Sequence, residues 1–154
     1  MATGKGHIEI RQLRPADLPA VTVIRTSVIE NHLSVVEMAE RGITPEGTIA
    51  QMATTLRGWL GLVDGVPAAF SMAKSDQGMV FAMFVLPGHE GMGLGRQLLT
   101  AAEDWLFETG WPEIWLTTDV DPTIRAHGFY QRLGWVTDGV AELGEVTYRK
   151  SRPL

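Results

Sequence analysis

Cysteine is absent from the 154 residues. This removes a disulfide framework, a thiolate nucleophile and any cysteine-built zinc or iron–sulfur site. Histidine is scarce: His7, His32, His89 and His127 are the four, and none forms an HExxH-type pair, so no metal is expected. Long apolar runs are lacking too. The longest, Met79 to Leu86, is far short of the ~20 residues a membrane helix needs. A basic excess is missing as well: the formal charge is −5, which argues against nucleic acid or an anionic membrane as partner. The start, MATGKGHIEIR, has no apolar h-region, and a cytoplasmic location is the expectation. No repeat, low-complexity stretch or linker divides the chain, so residues 1–154 are expected to form one domain. What is present is a globular composition, 45% hydrophobic and 20% charged, enough for one core.

Residues His7 to Arg11 alternate as a short strand. Leu18, Val21, Ile24 and Val28 then recur at helical spacing, with Pro15 and Asp17 near the start. Thr44–Pro45 reads as N-cap and first position of a second helix, in which Ile49, Met52 and Leu56 make one face. From Gly58 the period changes. Three apolar runs are split by Asp64–Gly65 and by Asp76–Gln77–Gly78, the pattern of an antiparallel meander. Its third run, Met79 to Leu86, is apolar on both faces and therefore belongs at the centre of the sheet. A helix follows with the stripe Leu94, Leu98, Ala101, Ala102 and Trp105, stopping at Gly110. Glu113 to Thr118 alternates as a strand. Asp121–Pro122 opens a helix through Leu133 that Gly134 ends, and Trp135 to Tyr148 offers one or two more strands. The order β-α-α-β-β-β-α-β-α-β-β specifies an α/β fold with a sheet of mixed direction.

The most informative segment is strand, loop and helix in FVLPGHEGMGLGRQLL. Gly91, Gly93 and Gly95 precede or open a helix after a buried strand. Amides at a helix start lack partners within the helix, the helix dipole is positive there, and glycine admits close approach, so the segment suits a phosphate. No GK[ST] follows, which excludes Walker A. A dinucleotide loop, with Asp119 as the ribose-binding acid, is the rival. The motif, however, is GxGxG, four residues intervene between strand and glycines, and too few residues follow Asp119 for a doubly wound sheet. A glycine turn that merely packs the helix on the sheet is the structural alternative.

Two stretches together resemble the GNAT superfamily of acetyl-CoA-dependent N-acetyltransferases. Glu90-Gly91-Met92-Gly93-Leu94-Gly95, after Val85-Leu86-Pro87, is similar to the family's [Q/R]xxGx[G/A] loop. Arg125-Ala126-His127-Gly128-Phe129-Tyr130, continuing to Gly134-Trp135, resembles its RAxxFYxxxGW signature. Glu90 stands where Gln or Arg is usual, and Thr123 where Asn often is. The resemblance implies a GNAT-like, mostly antiparallel central sheet flanked by helices. It further implies that a splayed central strand at Phe84, Val85 and Leu86 pairs with the pantetheine arm, an N–H near Val85 or Leu86 polarising the thioester carbonyl. The diphosphate would lie on the amides of Glu90, Gly91, Gly93, Gly95 and Arg96, with Thr123 a further cofactor contact. Tyr130 is implied as general acid, since a phenol with a pKa near 10 is protonated at neutral pH.

The general base stays open. Met79 to Phe84 carry no carboxylate, which rules out a base on that strand. Glu30, His32, Asp119 and Asp121 are the candidates, with Asn31 beside Glu30 in the first-helix region that the family places along the acceptor. Each has a structural alternative: a solvated helix face, a helix end or an N-cap. The five tryptophans are dispersed over several elements, which favours separate core or edge positions over a cation cage. The resulting expectation is acetyl transfer from acetyl-CoA, without metal, to a primary amine of a small molecule or peptide. With no cysteine for an acyl-enzyme, the amine attacks directly. The charge of −5 mildly suits a cationic acceptor, and a homodimer is a candidate assembly. A non-catalytic acyl-CoA sensor on the same fold is the alternative.

Overall fold

The computed structural model describes residues 7–27, 44–119 and 126–153. β1 (Ile8–Gln12) leads through one 3-10 turn (Pro15–Asp17) to α1 (Leu18–Ser27). Next come α2 (Pro45–Met52), β2 (Leu56–Val63), β3 (Val66–Lys74) and β4 (Met79–Val85). α3 (Leu94–Glu108), β5 (Glu113–Asp119), α4 (Ala126–Arg132), β6 (Ala141–Glu142) and β7 (Glu145–Ser151) follow. The seven strands make one sheet in the order β1-β2-β3-β4-β5-β7-β6, with β4 at its centre as expected. All neighbours are antiparallel except β4 and β5, which run parallel and pair only at Met79 and Trp115. Among the described residues no helix is long and apolar enough to cross a membrane.

The turns follow from residue chemistry. Asp64 (φ 52°) and Gly65 (φ 82°) both adopt the left-handed region between β2 and β3, which a two-residue hairpin matched to strand twist requires. The turn from β3 to β4 is held by two indoles at the start of the neighbouring strand, β5. Trp111 Nε1 donates to the Ser75 carbonyl at 2.7 Å, and Trp115 Nε1 to that of Gln77 at 2.9 Å. Gly78 fits only because it lacks Cβ: one would lie 2.6 Å from the Trp111 ring. These contacts join the starting ends of β4 and β5. Thr44 caps α2 as its sequence suggests, its Oγ1 accepting from Gly47 N at 3.1 Å.

β4 changes sides at one residue. Ala73 pairs with Val80 and Met72 with Ala82, so Phe81 is an extra, unpaired position. Before it, Val80 packs with Leu99, Ala102 and Leu106 of α3. After it, Ala82 and Phe84 pack with Leu18, Val21 and Ile24 of α1. On the α3 face, Ser71 Oγ donates to the Leu98 carbonyl at 3.0 Å. Glu103, 7% exposed, accepts from Trp135 Nε1 at 3.0 Å and from Lys150 Nζ at 2.9 Å. Lys150 also donates to the Leu133 carbonyl at 2.9 Å. This partly buried set ties the turn after α4 and the strand β7 to the helix α3.

Three expectations change. α2 ends at Met52, so Leu56 opens β2 instead of extending the helical face, and Ile49 is exposed. Of that expected face, Met52 packs against the core beneath α1 from the helix and Leu56 joins the same core from β2. On α3 the buried stripe is Leu94, Leu98, Leu99, Ala102, Glu103 and Leu106, with Ala101 and Trp105 only half-buried. The dispersed tryptophans include one touching pair, Trp59 against Trp105, edge to face at 5.9 Å. The start expected for α4 at Asp121–Pro122, and Val28, lie outside the described residues.

The entry to α1 is set by one carboxylate. Asp17 takes both guanidinium nitrogens of Arg11 at 2.9 Å and Arg14 N at 2.8 Å. The Arg11 hydrogen bonds, aided by the Arg14 amide against the opposing effect of burial, hold its pKa at about 2. The folded value lies below that of a free carboxylate, so the contribution is complete above about pH 4 and disappears as pH falls through 2. Urea unfolding from pH 7 to 2 should show stability falling on acidification, with Asp17→Asn removing on the order of 1–2 kcal/mol at pH 7 and flattening that acid limb.

Candidate functional site

Because β4 and β5 pair only at their starts, their far ends diverge and leave a cleft in the middle of the sheet. Its volume is about 490 Å³, within the range of small-molecule and cofactor sites. Val80 to Val85 form one wall and Leu116 to Thr118 the other. The glycine loop, Phe129, Tyr130 and Arg132 lie along it, and Arg25 reaches it from α1. Main-chain groups alternate along a strand. Leu86 N donates to the Ala68 carbonyl at 2.8 Å, and Phe84 pairs with Phe70 on the same β3 side. Met83 and Val85 therefore direct their main-chain groups toward the gap left by β5.

The loop reaching α3 is shaped by glycines where only glycine is easy. Gly88, Gly91 and Gly93 have φ of 90°, 80° and 85°, and Gly93 is the N-cap of the 15-residue α3. The first helical bond at this end is Gln97 N to Gly93 O, 3.1 Å. The amides before it have no partner within the helix, and the helix dipole makes this end positive. Glu90 folds back: its Oε1 accepts from Gly88 N at 2.9 Å. Its carboxylate is thus tied into its own loop. Gly95 has a packing role as well. A Cβ there would meet Phe129 Cζ at 3.4 Å and Val85 Cγ2 at 3.8 Å. The second motif is therefore seated directly on the first.

Tyr130 lines the cleft yet is only 7% exposed. Its ring packs against Phe129, Trp135 and Tyr148 at 5.5, 6.2 and 5.6 Å between centroids. Burial, with a smaller effect from Tyr148, pushes its phenol up to about 12. Tyr148 is fully buried, and its hydroxyl lies 2.9 Å from His127 Nδ1 and 3.3 Å from Gln131 Nε2. Residues 127, 130 and 131 of α4 are thereby fixed on β7.

Of the residues singled out in the sequence, Phe84, Val85, Glu90, Gly91, Gly93, Gly95, Arg96 and Tyr130 come together around the cleft. Leu86 does not line it, and its N–H is bonded to the Ala68 carbonyl, whereas Val85 turns its main chain toward the gap. Asp119 closes β5, its backbone opposite Glu145 of β7. Glu30, Asn31, His32, Asp121 and Thr123 lie outside the described residues. Four ionisable cleft residues were not assigned to the site in the sequence reading: Arg25, His89, Arg132 and Glu145. For Arg25 the signal was present, since it follows Leu18 by seven residues and Val21 by four on the buried stripe of α1. Among the described residues no group of His, Asp and Glu could hold a metal.

The Acetyltransferase (GNAT) family model matches residues 28–135. The chain belongs to the GNAT family. GNAT acetyltransferases are enzymes, and the fold agrees with solved members. The PaiA N-acetyltransferase of Thermoplasma acidophilum, solved with coenzyme A, superposes with TM-score 0.80 at 16% identity, covering 95% of this chain and 99% of that one. YncA of Salmonella typhimurium, a putative acetyltransferase solved with acetyl-CoA, gives 0.70 at 19%, with 94% and 93% covered. The ribosomal-protein-alanine N-acetyltransferase of Brucella melitensis gives 0.70 at 16%, with 94% and 99% covered. No curated protein sequence matches the chain.

The seat of Phe129 on α3 can be tested by size. Gly95→Ala, at ordinary contact distance and with a better helix former, should change stability by less than about 1 kcal/mol. Gly95→Val should destabilise by about 1–3 kcal/mol through overpacking. Denaturant unfolding of both variants measures the difference.

Proposed function

We propose that the protein is an N-acetyltransferase that moves an acetyl group from acetyl-CoA to a primary amine of a small molecule or peptide, by direct attack in a ternary complex. The observation carrying this reading is the one-ended opening of β4 and β5 with a glycine-capped helix at its mouth. It supplies an anion site and unpaired main-chain groups along a single slot. Solved GNAT relatives holding CoA or acetyl-CoA support acetyl-CoA as cosubstrate.

The diphosphate rests on the amides of Glu90, Gly91, Gly93, Gly95 and Arg96, with the Arg96 guanidinium adding charge. Val85 N–H donates to the thioester oxygen, where negative charge grows as the amine attacks. Phe84 and Leu86 flank this donor, and Thr123 is a further cofactor contact. Tyr130 faces the departing sulfur. A phenol at about 12 transfers its proton uphill to a thiolate with an ordinary value near 8.5. Its first role is therefore a hydrogen bond to the developing thiolate, and proton transfer follows as the sulfur is desolvated in the cleft. Glu30, Asn31 and Asp119 are assigned to the acceptor side, where the amine must lose a proton. A cytoplasmic, metal-free enzyme, monomer or homodimer, fits this chemistry.

Thermal shift with acetyl-CoA, CoA and NAD tests the cofactor. A ligand at 100 times its Kd adds about 2.7 kcal/mol, and stabilisation by NAD alone would overturn the reading. Thiol release over an amine panel tests the reaction; binding without turnover of any amine would indicate a sensor. Tyr130→Phe should lower kcat by about 10²-fold with acetyl-CoA affinity kept. Because the neutral phenol is the working form and its pKa is raised, no alkaline limb of kcat below about pH 11 should belong to Tyr130.

A further inference from the structure

We infer that Arg132 binds the ribose 3′-phosphate of acetyl-CoA, and that residue 128 is glycine to give its guanidinium room. The inference rests on the acetyl-transfer reading and names the residue that selects the cosubstrate by its phosphate monoester. Arg132 is the last residue of α4 and lines the cleft. Among the described residues it forms no hydrogen bond or salt bridge, neither with Glu145, which lines the same cleft, nor with any other group. An arginine in a last turn commonly serves the open carbonyls of its helix. Here they have partners of their own. The Tyr130 carbonyl accepts from Leu133 N at 3.1 Å and Trp135 N at 3.0 Å, and the Gln131 carbonyl from Gly134 N at 3.2 Å.

The side chain runs back along the helix instead. Its Nη1 lies 3.1 Å from where a Cβ on Gly128 would stand, one turn earlier on the same face. Glycine inside a helix is less favourable than alanine, and Gly128 has no left-handed φ to require it. What a Cβ there would meet is the guanidinium. Phe129, the next residue, rests on Gly95 at the start of α3, its Cζ 3.4 Å from the place of that residue's absent Cβ. The cation is therefore held beside the helix end assigned to the diphosphate, on the α3 layer of the sheet. Arg96 and the loop amides account for the diphosphate, and Arg25 belongs to α1, which packs on the other layer. Arg132 is thus the guanidinium placed for an anion beyond the diphosphate. Acetyl-CoA has one such group, the phosphate monoester on ribose C3′, and a guanidinium fork matches it bidentately.

The test compares acetyl-CoA with 3′-dephospho-acetyl-CoA on the full chain, by calorimetric titration. Wild type should bind acetyl-CoA about tenfold or more tightly. Arg132→Gln should bring the two affinities within about twofold of each other by weakening acetyl-CoA alone, and Arg132→Lys should keep part of the preference. Gly128→Leu, whose side chain takes the place of the guanidinium, should narrow the ratio as well, although leucine is the better helix former. Added salt should shrink the wild-type ratio and leave that of Arg132→Gln unchanged, a response that a merely structural arginine does not give. Equal affinity of wild type for the two forms, an unchanged ratio in Arg132→Gln or Gly128→Leu, or an equal loss on both forms in Arg132→Gln overturns the inference. The wild-type comparison and its salt dependence stand even where a variant folds poorly. Binding of neither form defeats the acetyl-transfer reading itself, whereas equal binding of both defeats only the role of Arg132.

Discussion

The molecule depends on β4 and β5 being joined at one end and free at the other. A parallel pair that stayed in register would satisfy its own main-chain groups and close the middle of the sheet. Here two indole N–H groups, from Trp111 and Trp115, grip the turn before β4, and Gly78 lets the Trp111 ring lie against it. Beyond Met79 and Trp115 nothing pairs the strands. The opening that results is lined by main chain as well as side chains, so its donors are fixed by the sheet instead of by mobile rotamers. Preorganised donors of that kind need no rearrangement when charge develops beside them.

Much of this was legible in the sequence. Asp64–Gly65 and Thr44–Pro45 encode local conformations that little else can supply, and the doubly apolar run from Met79 demanded a central strand. The two motifs were readable separately, yet their contact, Phe129 against the missing Cβ of Gly95, was not: it is made between residues 34 positions apart in the chain. The same limit hid the single-pair junction of β4 and β5, which rests on tryptophans more than 30 residues from their acceptors. The choice between the Val85 and Leu86 amides was left open in the sequence for a local reason. Which of two adjacent amides faces a cleft depends on strand parity, and parity was reset upstream at Phe81. Ile49 and Leu56 kept helical spacing by coincidence, because the chain turns to strand between them.

Among the described residues, the side chains lining the cleft carry more positive than negative charge, the reverse of the chain as a whole. Arg25, Arg96 and Arg132 line it with Glu90 and Glu145, and the Glu90 carboxylate is bonded into its own loop at Gly88. Charge at contact distance and net charge of the chain are thus separate properties of one surface.

The extra residue at Phe81 behaves like a frameshift written in side chains. Every position after it faces the opposite layer from the one its count would dictate, so one continuous strand serves as floor to α3 in its first half and to α1 in its second. Helices on both layers thus share a single rigid rail, and a length change of one residue upstream of Met83 would swap the layers and turn the Val85 amide away from the gap together.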